Sequence, residues 1–85
     1  MDTHKVVTYP LMGEKATFLR DQNKLTFIVD KKATKKDIKE AIEVIYNVKT
    51  TKITTMITTE GLKKAHVTLD PQYSAEEIAS QFGVL

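Results

Sequence analysis

The segment from Thr34 to Asn47 constrains this chain most. Ile38, Ala41, Ile42 and Ile45 recur at i, i+3, i+4 and i+7, while Lys35, Lys36, Lys39, Glu40 and Glu43 take the positions between them. That spacing predicts an α-helix over residues 35–46, with one apolar stripe to bury and one charged face to leave outside. Thr34 suits the N-cap because its hydroxyl can accept from the free N–H groups of the first turn, and Asp37 follows near the positive end of the helix dipole. Asn47 suits the left-handed conformation that ends a helix. A single stripe of this width makes no core alone. It needs a sheet with a continuous apolar side.

The flanking sequence offers that sheet. Leu25, Phe27 and Val29 alternate with Thr26 and Ile28, which gives one strongly apolar side and one half-apolar side. Leu62 to Leu69 places Ala65, Val67 and Leu69 on one face and Lys64, His66 and Thr68 on the other. Val48 to Thr59 holds six threonines among residues 50–59, a β-branched composition that favours extended backbone. Glu60-Gly61 reads as the hairpin turn between these strands, and Val6 and Val7 as a short first strand. Ser74-Ala75-Glu76-Glu77 is a Ser-x-x-Glu capping box for a helix that Gly83 closes, with Ile78, Ala79 and Phe82 turned inward. A weaker helix runs from about Glu14 to Arg20, after Pro10 and a poorer cap at Gly13, with Ala16 and Leu19 inward. The order β-α-β-α-β-β-α predicts an α+β fold, a mainly antiparallel four-stranded sheet packed with helices, plait-like and related to the split β-α-β arrangement. Residues 1–85 are expected to form one domain, because halving 85 residues leaves each core near the roughly 40-residue size that needs extra staples.

Composition removes most chemistry. The chain has no cysteine, so disulfides, thiolate metal sites and Cys nucleophiles are excluded. His4 and His66 stand apart without metal-ligand spacing, so no metal and no cofactor is expected. Glu76 and Glu77 point about 100° apart on a helix and do not face each other as an acid and base pair would. The glycines at 13, 61 and 83 are isolated and build no phosphate loop. An enzyme is not expected. No apolar run reaches the roughly 18 to 20 residues that span a bilayer, and the first residues lack a secretory signal, so a cytoplasmic protein without membrane insertion is expected.

Charge distribution says more than charge total. The net +2 conceals a neutral stretch over 1–30, +5 over 31–64 and −3 over 65–85. Such asymmetry is the footprint of a protein offering one side to an anionic polymer, and a merely solvated basic face is the plain alternative. Lys31, Lys32, Lys35 and Lys36 gather where the strand ending at Asp30 hands over to the central helix, and Lys39 shares its exposed side. A phosphate near that N-terminus would also meet free N–H groups. Lys49 and Lys52 follow on the next strand, and Lys63 and Lys64 lie across the hairpin. Lys5 and Lys15 add charge, and the hydroxyls of Thr50 and Thr54 add candidate backbone contacts. Phe18, Phe27 and Phe82 fit the core, while Tyr46 and Tyr73 lie near element ends. A platform that stacks unpaired bases is therefore disfavoured, and recognition of folded RNA by shape and backbone fits better.

Several linked motifs then point one way. Tyr9-Pro10-Leu11-Met12-Gly13-Glu14-Lys15-Ala16, Asn23-Lys24-Leu25-Thr26-Phe27, the stretch from Lys32 to Glu43, Val48 to Thr55 and Ser74 to Leu85 occur in order over nearly the whole chain. In these the chain resembles the large-ribosomal-subunit protein twenty-three family, in its archaeal form. The resemblance implies a non-catalytic, ribosome-bound protein that binds large-subunit ribosomal RNA at the outside of the polypeptide exit tunnel. It also implies contact with a neighbouring ribosomal protein of the twenty-nine family, and a docking platform for factors that meet the nascent chain. Glu14 matches the acidic residue of the family's Ser-Glu-Lys-Ala motif, with Gly13 in place of the usual Ser or Thr. For an archaeal-type chain this implies protein docking at Glu14 by signal recognition particle or translocon. The short hairpin between Thr59 and Leu62 stands where bacterial members carry a long basic loop, and no long basic N-terminal extension like that of eukaryotic members is expected. A rival reading is a small plait-like protein-interaction or ligand-binding module, whose binding would depend little on salt. A small plait-type hydrolase ranks last, since it needs an Arg and Asn pair and the chain's single Arg is Arg20.

Overall fold

The computed structural model describes residues 2–11 and 22–80. Within them run α1 (Thr3–Val6), β1 (Val7–Pro10), β2 (Lys24–Val29), α2 (Lys35–Tyr46), β3 (Thr50–Ile57), β4 (Lys63–Leu69) and α3 (Ala75–Ser80). The strands form one sheet in the order β1-β2-β4-β3, with every neighbouring pair antiparallel. β2 and β3 therefore run in the same direction with β4 inserted between them, and α2 connects them, which is the split β-α-β arrangement. The α+β, plait-like fold expected from the sequence is the fold observed. The helix expected at Glu14 to Arg20, with Gly13, Ala16, Phe18 and Leu19, lies outside the described residues, as do Phe82, Gly83 and the side chain of Ala79.

The core forms between α2 and one face of the sheet. Ile38, Ala41 and Ile42 are buried against a cluster that includes Leu25, Phe27, Val29, Ala65, Val67 and Leu69. Each fully buried side chain of this size contributes about 1.5–3 kcal/mol relative to exposure. The helix ends are set by its own sequence. Thr34 Oγ1 accepts from the Asp37 N–H at 3.1 Å, and the Asp37 carboxylate accepts from the Thr34 N–H at 3.0 Å. The bonds from Thr34 hold the Asp37 carboxyl below its usual range. Asn47 ends the helix with φ 54°, as expected. The β3–β4 hairpin turns through Thr58, whose carbonyl accepts from the Gly61 N–H at 3.0 Å and whose hydroxyl accepts from the Leu62 N–H at 3.1 Å. Gly61 supplies the φ of +84° that the turn requires.

Three expectations are corrected. Val6 belongs to a helical turn and not to the first strand, because Asp2 caps that turn by accepting from the His4 N–H at 3.0 Å. The turn folds Val6 back into the core, where it is fully buried. Thr26 and Ile28 are buried as well as Leu25, Phe27 and Val29, so β2 is covered on both faces, whereas β4, also a central strand, alternates. Ile45 is 39% exposed, and the last turn of α2 is closed by Tyr46, whose broader ring stacks on Phe27 with centroids 5.7 Å apart. α3 is anchored by a residue the sequence did not single out for this task. Asn23, at φ 61°, accepts from the Ala75 N–H at 2.9 Å through Oδ1 and donates to the Leu69 carbonyl at 3.3 Å through Nδ2. Ser74 Oγ accepts from the Glu77 N–H at 3.4 Å, as its capping position predicts.

Candidate nucleic-acid interface

β3 is an edge strand, and its register against β4 shifts between Thr50 and Lys52. The start of this strand is pinned to α2. The Thr50 N–H and hydroxyl both donate to Glu43 Oε2, at 2.9 and 3.3 Å, and Thr50 itself is buried. The pin and the irregular register open a groove of about 260 Å³ along the edge of the sheet, lined by Lys35, Lys36 and Lys39 of α2 and by Thr50, Thr51, Lys52 and Ile53 of β3. Ile53 packs against the core and gives this groove an apolar wall. The four lysines are exposed, and no carboxylate is among the lining residues. Lys35 and Lys36 occupy the first turn of α2, where the helix dipole adds to their positive potential. Four cations on one concave surface attract an anion that presents several charges in series.

The remaining basic residues lie around this groove, not in it. A Cβ built on Gly61 would lie 3.6 Å from Lys31 Nζ, which places that ammonium at the hairpin turn, with the exposed Lys32 next in the chain. Lys63 Nζ donates to the Ala33 carbonyl at 2.6 Å and holds the loop that precedes α2. Lys49 is exposed just before β3, its carbonyl accepting from the Asp70 N–H at 2.9 Å, and it does not line the groove. Lys5 is exposed at the end of α1. Lys64 and Thr54 lie on the sheet face opposite α2. The hydroxyl of Thr50, a candidate backbone contact in the sequence, donates to Glu43. Lys15 and Glu14 lie outside the described residues.

Thr51 and Ile53 as lining residues and Glu43 as the pin were not foreseen. Glu43 reads in the sequence as one more surface charge on a helix, and only the return of β3 reveals its partner. His66 sits mid-strand on the face opposite α2, its Nδ1 3.0 Å from Thr26 Oγ1. Burial first, then Lys64 and Lys24, hold its imidazole below the ordinary value of 6.5, so it is neutral at neutral pH. Among the described residues no group of three or more His, Asp or Glu is placed to hold a metal ion. No helix among them is long and apolar enough to cross a membrane. In comparison with known protein families, residues 5–77 match the family described as Ribosomal protein L23, a span that contains every residue of the groove.

Proposed function

The chain belongs to the ribosomal protein L23 family, a family of large-subunit ribosomal proteins, and from that premise we propose that the groove between α2 and β3 binds large-subunit ribosomal RNA. The observation that carries this reading is the gathering of Lys35, Lys36, Lys39 and Lys52 around one concavity without a carboxylate. Phosphates entering it meet three lysines of one helix and a fourth from the strand that Glu43 holds in place. Such contacts fix position and orientation on RNA and carry no base information themselves. Lys5, Lys15, Lys31, Lys32, Lys49, Lys63 and Lys64 widen the attraction, and Thr54 offers a hydroxyl. Thr50 serves by shaping the groove. The protein acts as a single non-catalytic unit in the cytoplasm, bound to the ribosome.

The placement proposed is the outside of the polypeptide exit tunnel. Support comes from the hairpin, whose strands end at Ile57 and resume at Lys63, too short a loop to reach into a tunnel. This compact hairpin also favours the archaeal type. Glu14 is the proposed docking residue for signal recognition particle or translocon, and a ribosomal protein of the twenty-nine family the proposed neighbour. The test is sedimentation of extracts carrying a tagged chain at moderate salt. Lys35→Glu, Lys36→Glu, Lys49→Glu and Lys52→Glu together should greatly reduce co-migration with large subunits while the purified chain melts as before. Unchanged incorporation refutes the reading, and salt-independent capture by an acidic protein would favour the interaction module instead.

A further inference from the structure

The face of the sheet opposite α2 is ordered into three rows by the strand register. Tyr9, Ile28, Lys64 and Met56 align in the first row, Thr26, His66 and Thr54 in the second, and Lys24, Thr68 and Lys52 in the third. Successive rows stand two residues apart, about 7 Å. Tyr9 is 43% and Met56 47% exposed, so the first row presents an aromatic ring and a thioether to solvent. The third row presents two ammonium groups, and no carboxylate stands in any of the three. Between them His66 engages Thr26 through Nδ1, and its Nε2 makes no hydrogen bond among the described residues. Lys52 belongs to both surfaces. It stands in the third row and also lines the groove, so the face continues the groove around the β3 edge.

We infer that this face binds an unpaired stretch of RNA, which reaches it from the groove over Lys52, lays bases on Tyr9 and Met56, and sets phosphates against Lys24, Lys52 and Lys64. The inference rests on the RNA reading of the groove and assigns it a second, chemically different segment. Charge complementarity selects a polyanion, because the face carries three lysines and no acid. The exposed ring selects unpaired nucleotides, because a paired base hides its face in the helix stack and offers an approaching side chain only edges and phosphates. Met56 is soft enough to follow whichever base arrives. The sequence argued against base stacking because the phenylalanines fit the core and Tyr46 and Tyr73 lie near element ends; pairing of β1 on β2 brings Tyr9 into one row with Lys64, with the buried Ile28 between them.

The test uses the full chain, hexauridylate as the unpaired probe and a fully paired RNA duplex as the other. Hexauridylate should shift the ring signals of Tyr9 and His66 in NMR spectra. Tyr9→Ala should weaken hexauridylate about tenfold and leave the duplex unaffected, while Tyr9→Phe should restore binding. Hexauridylate bound equally well by Tyr9→Ala overturns the inference, and so does ultraviolet crosslinking in native large subunits that joins Tyr9 to protein and not to RNA. The groove reading is tested separately by Lys36→Glu with Lys39→Glu against the duplex. Loss of duplex binding alongside an indifferent Tyr9 leaves the groove standing without the face. An unchanged duplex with a responsive Tyr9 leaves the face standing without the groove.

Discussion

Replacing Lys35, Lys36, Lys39 and Lys52 with glutamine removes four charges from one groove and adds no carboxylate to it. All four side chains are exposed, so each change should alter stability by no more than about 0.5 kcal/mol. Binding to RNA should respond far more strongly. Each lysine that neutralises a phosphate releases condensed counterions, and the slope of log K against log salt steepens by about 0.7 to 0.9 per contact. Removing four contacts should therefore flatten that slope by about 3. Between 50 and 200 mM salt the four together account for roughly a hundredfold change in affinity. Fluorescence anisotropy of a labelled large-subunit RNA fragment, titrated with each chain at several potassium chloride concentrations, measures both slopes. Parallel lines for the two chains would refute the reasoning, because the lysines would then neutralise no phosphates.

Three further outcomes follow from the same geometry. Thr34→Ala removes the acceptor that caps α2 and should cost about 1 kcal/mol in urea unfolding, with the midpoint lowered and the slope kept; an unmoved midpoint would show that the cap is replaceable. Glu43→Ala leaves the part-buried Thr50 donors without their acceptor and should cost about 1–3 kcal/mol, while also weakening RNA binding through the groove it shapes. RNA affinity equal to the unmodified chain's would separate the pin from the site. His66 has its folded value held below 6.5, so the unfolded chain takes up a proton first; stability is complete above 6.5 and lost as pH falls through the depressed value. His66→Gln should lack that part of the acid loss, and superimposable stability profiles for the two chains from pH 7.5 to 5 would contradict the assignment.

Local signals were legible and long-range ones were not. α2 could be placed because both of its ends are written into neighbouring residues, Thr34 with Asp37 at one end and Asn47 at the other. β4 could be given its faces because a strand with one covered side alternates, and Ala65, Val67 and Leu69 are the buried set. β2 hid its second buried side, since a threonine and an isoleucine on that side read only as half-apolar. Val6 was misplaced because a β-branched residue next to Val7 reads as strand, whereas Asp2 decides the helical turn through its own hydrogen bond. The groove was half visible. Lys35, Lys36 and Lys39 share a helix face by spacing alone, but the arrival of Lys52 depends on the register shift in β3 and on Glu43. Lys49, only three residues earlier, ends outside for the same reason.

The most direct measurement of the central claim is lysine acylation in native large subunits, compared with the free chain and read by mass spectrometry. Lys35, Lys36, Lys39 and Lys52 should be strongly protected in the subunit and regain reactivity when ribonuclease removes the RNA. Groove lysines that react in the intact subunit as fast as in the free chain would contradict the account.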